Sequence, residues 1–357
     1  MLRQHVGTGF DEVVQRRVAT TTATAAHHDG KSESHAAPRA AQQRTFAAIG
    51  AAPTVLVMMV DSRPLSFESY VGAAAVCNDG FARVHGYDFT VVRPAPLLHA
   101  DVLRRFPDAP PLPSAASVKD APTVYHPLLR RYRAASWAKL LPAWRAAASG
   151  KYDVVIYIDS DACLASKSHN WTSFVAAAAQ VRPLPASEQP YGAPLLQSNV
   201  LFYGNVGYGW PNHPLAGFFA FVPGPGTARF FRDWWDVHDG RFGFAHAYEQ
   251  FGLWALMEHG FANTTMCIVN AGQMADNDPT GFVKHWGSDR EDQRAGALGA
   301  LARALPGLDS RDALNARLAE IAATRSVTLD GLEVAAELAA EPRAGSFAAT
   351  AFMPAAW

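Results

Sequence analysis

The sequence predicts an α/β domain with a largely parallel sheet, and three observations carry that expectation. Val55-Leu56-Val57-Met58-Met59-Val60 and Val154-Val155-Ile156-Tyr157-Ile158 are unbroken apolar runs of strand length, the pattern of strands covered on both faces. Between them lie helix-length segments, from Phe67 to about His85 and from Pro127 to about Ala148. Tyr87-Asp88-Phe89-Thr90-Val91-Val92 alternates as a strand does. Strand, helix, strand, helix, strand is the order that builds a parallel sheet with helical crossovers.

Residues 1–45 are rich in Thr, Ala, Ser, His and Gln without apolar periodicity, and are expected to form a disordered lead or stalk. From Thr54 the first strand runs into Asp61-Ser62-Arg63-Pro64, a turn signal, and Gly86 closes the first helix. Pro107 to Pro122 reads as a surface loop, and Gly150 ends the second helix. Gln197 to Val222, dense in Gly, Pro, Phe and Tyr, reads as short strands joined by turns. Thr227 to about Val237 and Ala247 to His259 read as helices. After Asp292 the composition turns to Ala, Leu, Arg and Glu. There Leu314, Leu318 and Ile321 fall at helical spacing, and Asp330 with Glu333 forms a capping box. The expected organisation is a lead over 1–45, one domain over 46–292 and a helical C-terminal extension over 293–357, away from the chemistry.

Composition narrows the function. The 357 residues allow one large domain or two. Thirty-one Lys plus Arg against thirty-two Asp plus Glu leave a net charge of -1, which argues against a nucleic-acid partner. Cys77, Cys163 and Cys267 are too few for a disulfide scaffold or a zinc ribbon, and at most one pair can form. No run reaches the roughly 18 apolar residues of a membrane span, and the first residues lack a signal-peptide pattern. The chain is therefore expected to be soluble and without an anchor of its own.

The strongest local feature is Ile158-Asp159-Ser160-Asp161-Ala162 at the end of a buried strand. Such a strand delivers carboxylates to the ligand-binding edge of an α/β sheet, and residues two apart in extended chain face one side. The pair suits a hard divalent cation completed by phosphate oxygens. A second Asp-x-Asp, Asp276-Asn277-Asp278, has no strand before it and reads as a turn. Haloacid-dehalogenase-type phosphatases also end a strand in Asp-x-Asp, with the first Asp as nucleophile. Here Ala162 and Cys163 replace the Gly and Thr or Val expected after it, and the motif lies mid-chain. Upstream stand Ser136-Trp137-Ala138-Lys139-Leu140 and Asn78-Asp79-Gly80-Phe81-Ala82-Arg83-Val84-His85-Gly86-Tyr87.

In this order, these segments resemble the glycosyltransferase family of fungal α-1,2-galactosyltransferases, α-mannosyltransferases and plant xyloglucan α-1,6-xylosyltransferases, over about Val55 to Trp286. The resemblance implies a GT-A fold, a nucleotide-sugar donor (a UDP-sugar is expected), a glycan acceptor, Mn²⁺ or Mg²⁺, and retention of anomeric configuration. It also implies a Golgi lumen location, with Asn170-Trp171-Thr172 and Asn263-Thr264-Thr265 as glycosylation acceptors. On this reading Asp61, Ser62 and Arg63 line the nucleotide, Ser160 lies with it, and Lys139 offsets diphosphate charge. Asp159, Asp161 and His285, the last in Val283-Lys284-His285-Trp286-Gly287, hold the metal. Glu249 and Gln250, at a helix start, act on the acceptor or on the positive charge developing at the sugar. Trp210 is the expected sugar-stacking platform. Leu215-Ala216-Gly217-Phe218-Phe219 stands where the family carries Asn-Thr-Gly-x-Phe, which keeps the glycine and loses the polar pair. Two alternatives follow: a GT-A-like domain that binds sugar or nucleotide without turnover, and a phosphohydrolase with Asp159 as nucleophile.

Overall fold

The computed structural model describes residues 44–113, 123–165, 169–180, 195–205, 210–237, 244, 248–258, 266–269, 282–285 and 291–343. Residues 1–43 of the lead expected over 1–45, the Asp276-Asn277-Asp278 turn, the Asn263 acceptor, Trp286 and the side chain of Trp210 lie outside the described residues.

The elements in chain order are β1 (Val55–Val60), α1 (Tyr70–His85), β2 (Asp88–Pro94), α2 (His99–Arg105), β3 (Val124–His126), β4 (Arg131–Arg133), α3 (Leu140–Ser149) and β5 (Val154–Ile158). There follow β6 (Ala162–Leu164), α4 (Trp171–Gln180), β7 (Val200–Asn205), β8 (Trp210–Phe221), α5 (Pro225–Asp236), α6 (Tyr248–Glu258), β9 (Met266–Val269) and β10 (Val283–His285). The C-terminal part holds α7 (Glu291–Arg303), α8 (Arg311–Thr324), β11 (Ser326–Leu329) and α9 (Gly331–Ala340).

Seven strands form one mixed sheet in the order β11-β2-β1-β5-β8-β7-β9. The pairs β11–β2, β2–β1 and β1–β5 are parallel, while β8 runs antiparallel to both β5 and β7. The parallel half explains the unbroken apolar strands. Val55, Val57 and Met59 pack into one core with α1, α7 and α8, and Leu56 and Met58 pack into a second core with α3, α5, α6 and α9. The result is a sheet covered by helices on both faces.

Local signals place α1. Ser69 Oγ accepts from the Gly72 amide at its start, and Gly86 ends it at φ 70°, a left-handed conformation that glycine adopts without penalty. The helix expected from Pro127 to Ala148 is helical only from Leu140. Its first part is the turn and second strand of the β3–β4 hairpin, followed by a 3-10 turn, Ala135–Lys139. The reason is tertiary: the Arg133 guanidinium is buried 3.8 Å from the Trp137 ring and donates to Val237 O at 2.7 Å. Those partners hold the chain extended where its local spacing suits a helix.

The C-terminal extension is helical, as expected, and it also carries a strand absent from the sequence reading. β11 pairs in parallel with β2, Ser326 against Val91 through Leu329 against Pro94, and so forms one edge of the central sheet. α7 and α8 bury Leu298, Ala302, Leu314, Leu318 and Ile321 in the core shared with α1. The one cysteine pair that forms is Cys77–Cys163, joining α1 to β6 with a Cα–Cα distance of 6.0 Å.

Asp153 ties the start of β1 to β5. Its carboxylate accepts from the Thr54 amide at 3.0 Å, from Arg44 at 2.7 Å and from the Thr54 hydroxyl at 2.9 Å. These hydrogen bonds, the Thr54 amide foremost, lower its pKa to about 2. A depressed carboxyl contributes stability above its unfolded value and loses it as pH falls through the folded one. Between about pH 4 and pH 2 the parent protein should therefore lose melting temperature more steeply than Asp153→Asn. Parallel acid limbs in the two proteins would contradict this.

Candidate active site

β5 ends at Ile158, and Asp159, Ser160 and Asp161 turn the chain into β6. The Asp159 amide donates to Gly217 O at 2.8 Å and the Ala162 amide to Asp159 O at 3.1 Å, fixing the turn at the carboxyl edge of the parallel strands. Behind it, buried Asn78 donates to Ala162 O at 3.1 Å and accepts from the Leu164 amide at 2.9 Å. The antiparallel pairing of β6 with β10 sets His285 opposite Ala162. One oxygen from each of Asp159 and Asp161 and one ring nitrogen of His285 lie within 4.8 Å of one another.

These residues fit a divalent cation. Asp161 Oδ1 is buried without a hydrogen-bond partner among the described residues, and it faces His285 Nε2 at 3.2 Å. The other ring nitrogen, Nδ1, is 3.0 Å from the Tyr203 hydroxyl. Burial opposes ionisation of Asp161, but the imidazole of His285, with Arg294 and Lys139, holds its carboxyl below the usual range. Carboxylate oxygens with one imidazole suit Mn²⁺, and the oxygens alone suit Mg²⁺. Gly217 floors this space. A Cβ there would stand 3.1 Å from Asp159 Oδ2 and 3.2 Å from His285 Nε2.

Lys139 lies behind Asp159, where the sequence reading expected it against a diphosphate. Its ammonium donates to Asp159 Oδ1 at 2.9 Å and to Ala216 O at 3.1 Å, and pairs with Glu249 Oε1 at 2.9 Å. An ammonium has three hydrogens, and these acceptors use them all. Burial opposes the charge, but Asp159 and Glu249 outweigh it and raise the lysine pKa.

Glu249, expected to act on the acceptor or on charge developing at the sugar, pairs with Lys139. Only 5% exposed, it turns inward to Lys139, and burial raises its carboxyl pKa. Gln250 Oε1 accepts from the Ala216 amide at 2.9 Å, so it holds the backbone of β8. The two residues on which the sequence reading placed catalysis thus brace the strand beneath the acidic turn. A buried lysine needs such partners, a tertiary requirement that local sequence does not express.

The exit of β1 reaches the same edge. Arg63 donates to Asp61 Oδ1 through Nε at 3.0 Å and to Ser160 Oγ through Nη2 at 3.0 Å, and its guanidinium lies 4.5 Å from the Tyr70 ring. The Asp61 side chain is 7% exposed and that of Arg63 46%, so the arginine is the member of the pair that faces solvent. Ser62 is exposed, and its carbonyl accepts from Arg93 at 3.0 Å.

Four neighbours of this turn have no role at it in the sequence reading. Tyr157 donates through its hydroxyl to Asp159 Oδ1, and Tyr203 meets His285. Arg294, from the extension read as remote, has Nη1 3.6 Å from Asp161 Oδ2. Asn78 holds the turn from α1. Tyr157 had a signal, since a residue two before Asp159 on one strand shares its face; Arg294 and Tyr203 had none.

No family model matches this chain, and no curated protein matches it. Among solved structures it is similar to a glycosyltransferase involved in glycosylation of the major capsid of PBCV-1, at 12% identity and a TM-score of 0.44, covering 70% of this chain and 100% of that one. It is also similar to the glycosyltransferase GlyE of Streptococcus pneumoniae TIGR4, at 8% identity and a TM-score of 0.40, where the match spans 75% of this chain and 63% of that one. Mouse xyloside xylosyltransferase 1 matches at 8% identity and a TM-score of 0.34, over 66% of this chain and 97% of its own.

Proposed function

We propose that this chain is a divalent-cation-dependent glycosyltransferase of GT-A type. It would take a nucleotide-sugar, with UDP-sugars the first choice, and move a hexose or pentose to a glycan acceptor with retention. The observation that carries this reading is the convergence of Asp159, Asp161 and His285 at the carboxyl edge of β5, in a chain whose ordered motifs resemble that family. When bound, Mn²⁺ or Mg²⁺ would neutralise the diphosphate leaving group. Arg63, fixed by Asp61 and beside Ser160, is the cation on the exit of β1 best placed for the nucleotide phosphates. With Glu249 engaged by Lys139, same-face attack assisted by the departing phosphate is favoured over a covalent route through that carboxylate.

The phosphohydrolase reading is weakened by Ala162 and Cys163, which stand where such phosphatases carry Gly and Thr or Val. The buried Cys77–Cys163 pair suits an oxidising compartment such as the Golgi lumen. Among the described residues no helix is long and apolar enough to cross a membrane.

The test is nucleotide release from a panel of UDP- and GDP-sugars, with and without oligosaccharide acceptors. One donor is expected to give release that requires Mn²⁺ and falls to background in Asp161→Ala. Undiminished release in EDTA would sink the reading.

A further inference from the structure

Each candidate ligand offers one atom to the shared space, and its other polar atom meets a neighbour. Asp159 Oδ1 accepts from Lys139 and Tyr157, which leaves Oδ2, the oxygen that a Cβ on Gly217 would meet. His285 Nδ1 meets the Tyr203 hydroxyl, and Nε2 is the ring nitrogen turned to Asp161 Oδ1 at 3.2 Å. Asp161 Oδ2 lies 3.6 Å from Arg294, which leaves Oδ1, the buried oxygen with no hydrogen-bond partner.

The holding groups are themselves fixed. Tyr157 is buried and stacks on Phe219 with ring centroids 4.5 Å apart. Tyr203 is fully buried, its ring 5.5 Å from that of Phe218. Arg294 reaches the site from α7 with its guanidinium 5.4 Å from the Tyr70 ring.

We infer that Tyr157 and Tyr203 are positioning residues that make this a one-atom-per-ligand site, two single carboxylate oxygens and one imidazole nitrogen, selective for Mn²⁺ over Ca²⁺. The inference rests on the cation reading above. A carboxylate whose second oxygen is engaged does not open into a two-oxygen grip, and an imidazole whose Nδ1 is engaged keeps Nε2 aimed at the ion. Ca²⁺ takes six to eight oxygens, often with both oxygens of one carboxylate, and gains little from imidazole. Mn²⁺ gains from it.

The test is metal binding itself, with Mn²⁺ followed by the loss of its free electron paramagnetic resonance signal and Ca²⁺ by competition. No donor or acceptor is present. Tyr157→Phe and Tyr203→Phe each remove one hydroxyl and keep the ring, and melting curves report whether each variant folds. Each should weaken Mn²⁺ binding about tenfold. Tyr203→Phe should weaken Ca²⁺ by clearly less, because its effect runs through the imidazole; a purely structural role would weaken both cations alike. Mn²⁺ affinity within about twofold of the parent in both variants would overturn the assignment. So would an equal loss of the two cations in Tyr203→Phe. A parent protein that binds no Mn²⁺ would overturn the cation reading beneath it. Parental binding with unchanged variants would remove only this inference and leave the proposed function standing.

Discussion

Gly217→Ala is expected to lower Mn²⁺-dependent nucleotide release by about two orders of magnitude, with little change in melting temperature. The added methyl would lie 3.0 Å from His285 Cε1, 3.1 Å from Asp159 Oδ2 and 3.2 Å from His285 Nε2. Asp159 is held by its β5–β8 hydrogen bond to Gly217 O, and His285 by the β6–β10 ladder, so neither backbone can retreat far. The side chains must give way instead, and they do so out of the space where their ligand atoms meet. Stability should be spared because Gly217 lies in the extended chain of β8, where alanine fits the backbone. The check pairs melting curves with a Mn²⁺ titration of the initial rate. Parental rates at every metal concentration would contradict the placement of the site over Gly217.

Asp79→Ala is expected to destabilise the fold by about 1.5–3 kcal/mol, the range for hydrogen bonds to a charged group. The Asp79 carboxylate is fully buried on α1. Arg317 Nη2 stands 2.7 Å and Arg83 Nε 3.1 Å from its Oδ2, and Arg325 Nε is 4.0 Å from Oδ1. Arg317 lies on α8 and Arg325 immediately precedes β11, so the carboxylate fastens the C-terminal segment to the first helix. Removing it takes the buried partner from Arg317 and Arg83, which keep only the exposed Glu320, and loosens the edge strand. The exposed pair Arg311–Glu68, with side chains 73% and 77% accessible, is the control; breaking it with Glu68→Ala should change stability by less than about 1 kcal/mol. Urea denaturation of both variants makes the comparison. Equal losses would mean that Asp79 acts as an ordinary surface charge.

The central layer was legible because each of its signals is local. β1 and β5 are apolar at every position, which happens when a strand is covered on both sides. α1 has a serine at its start and Gly86 at its end, and both act through the backbone of a few neighbouring residues. Asp159 and Asp161 stood out because a carboxylate pair directly after such a strand has little reason to be there except to meet a ligand. Lys139 and Glu249 were recognisable as residues of interest, but their direction was not. A lysine on an amphipathic helix reads as solvated, and only the approach of α6 turns it inward to a carboxylate. The β3–β4 hairpin was misread for the same reason, since Arg133 takes its partners from beyond the end of α5.

Chain order and short-range pattern were thus enough to set the α/β class, the parallel half of the sheet and the acidic turn at its edge, because those depend on contacts within a few residues or on burial of whole strands. The antiparallel half, the edge strand β11 and the meeting of His285 and Arg294 with Asp161 depend on pairings between segments far apart in the chain. Such pairings are selected by the packing of the whole core, and the energy of each is spread over many side chains. No window of sequence contains it. The same separation divides the candidate site: its carboxylates come from one turn, while the partners that aim them come from β5, β7, β8, α6 and α7 and are assembled by the fold.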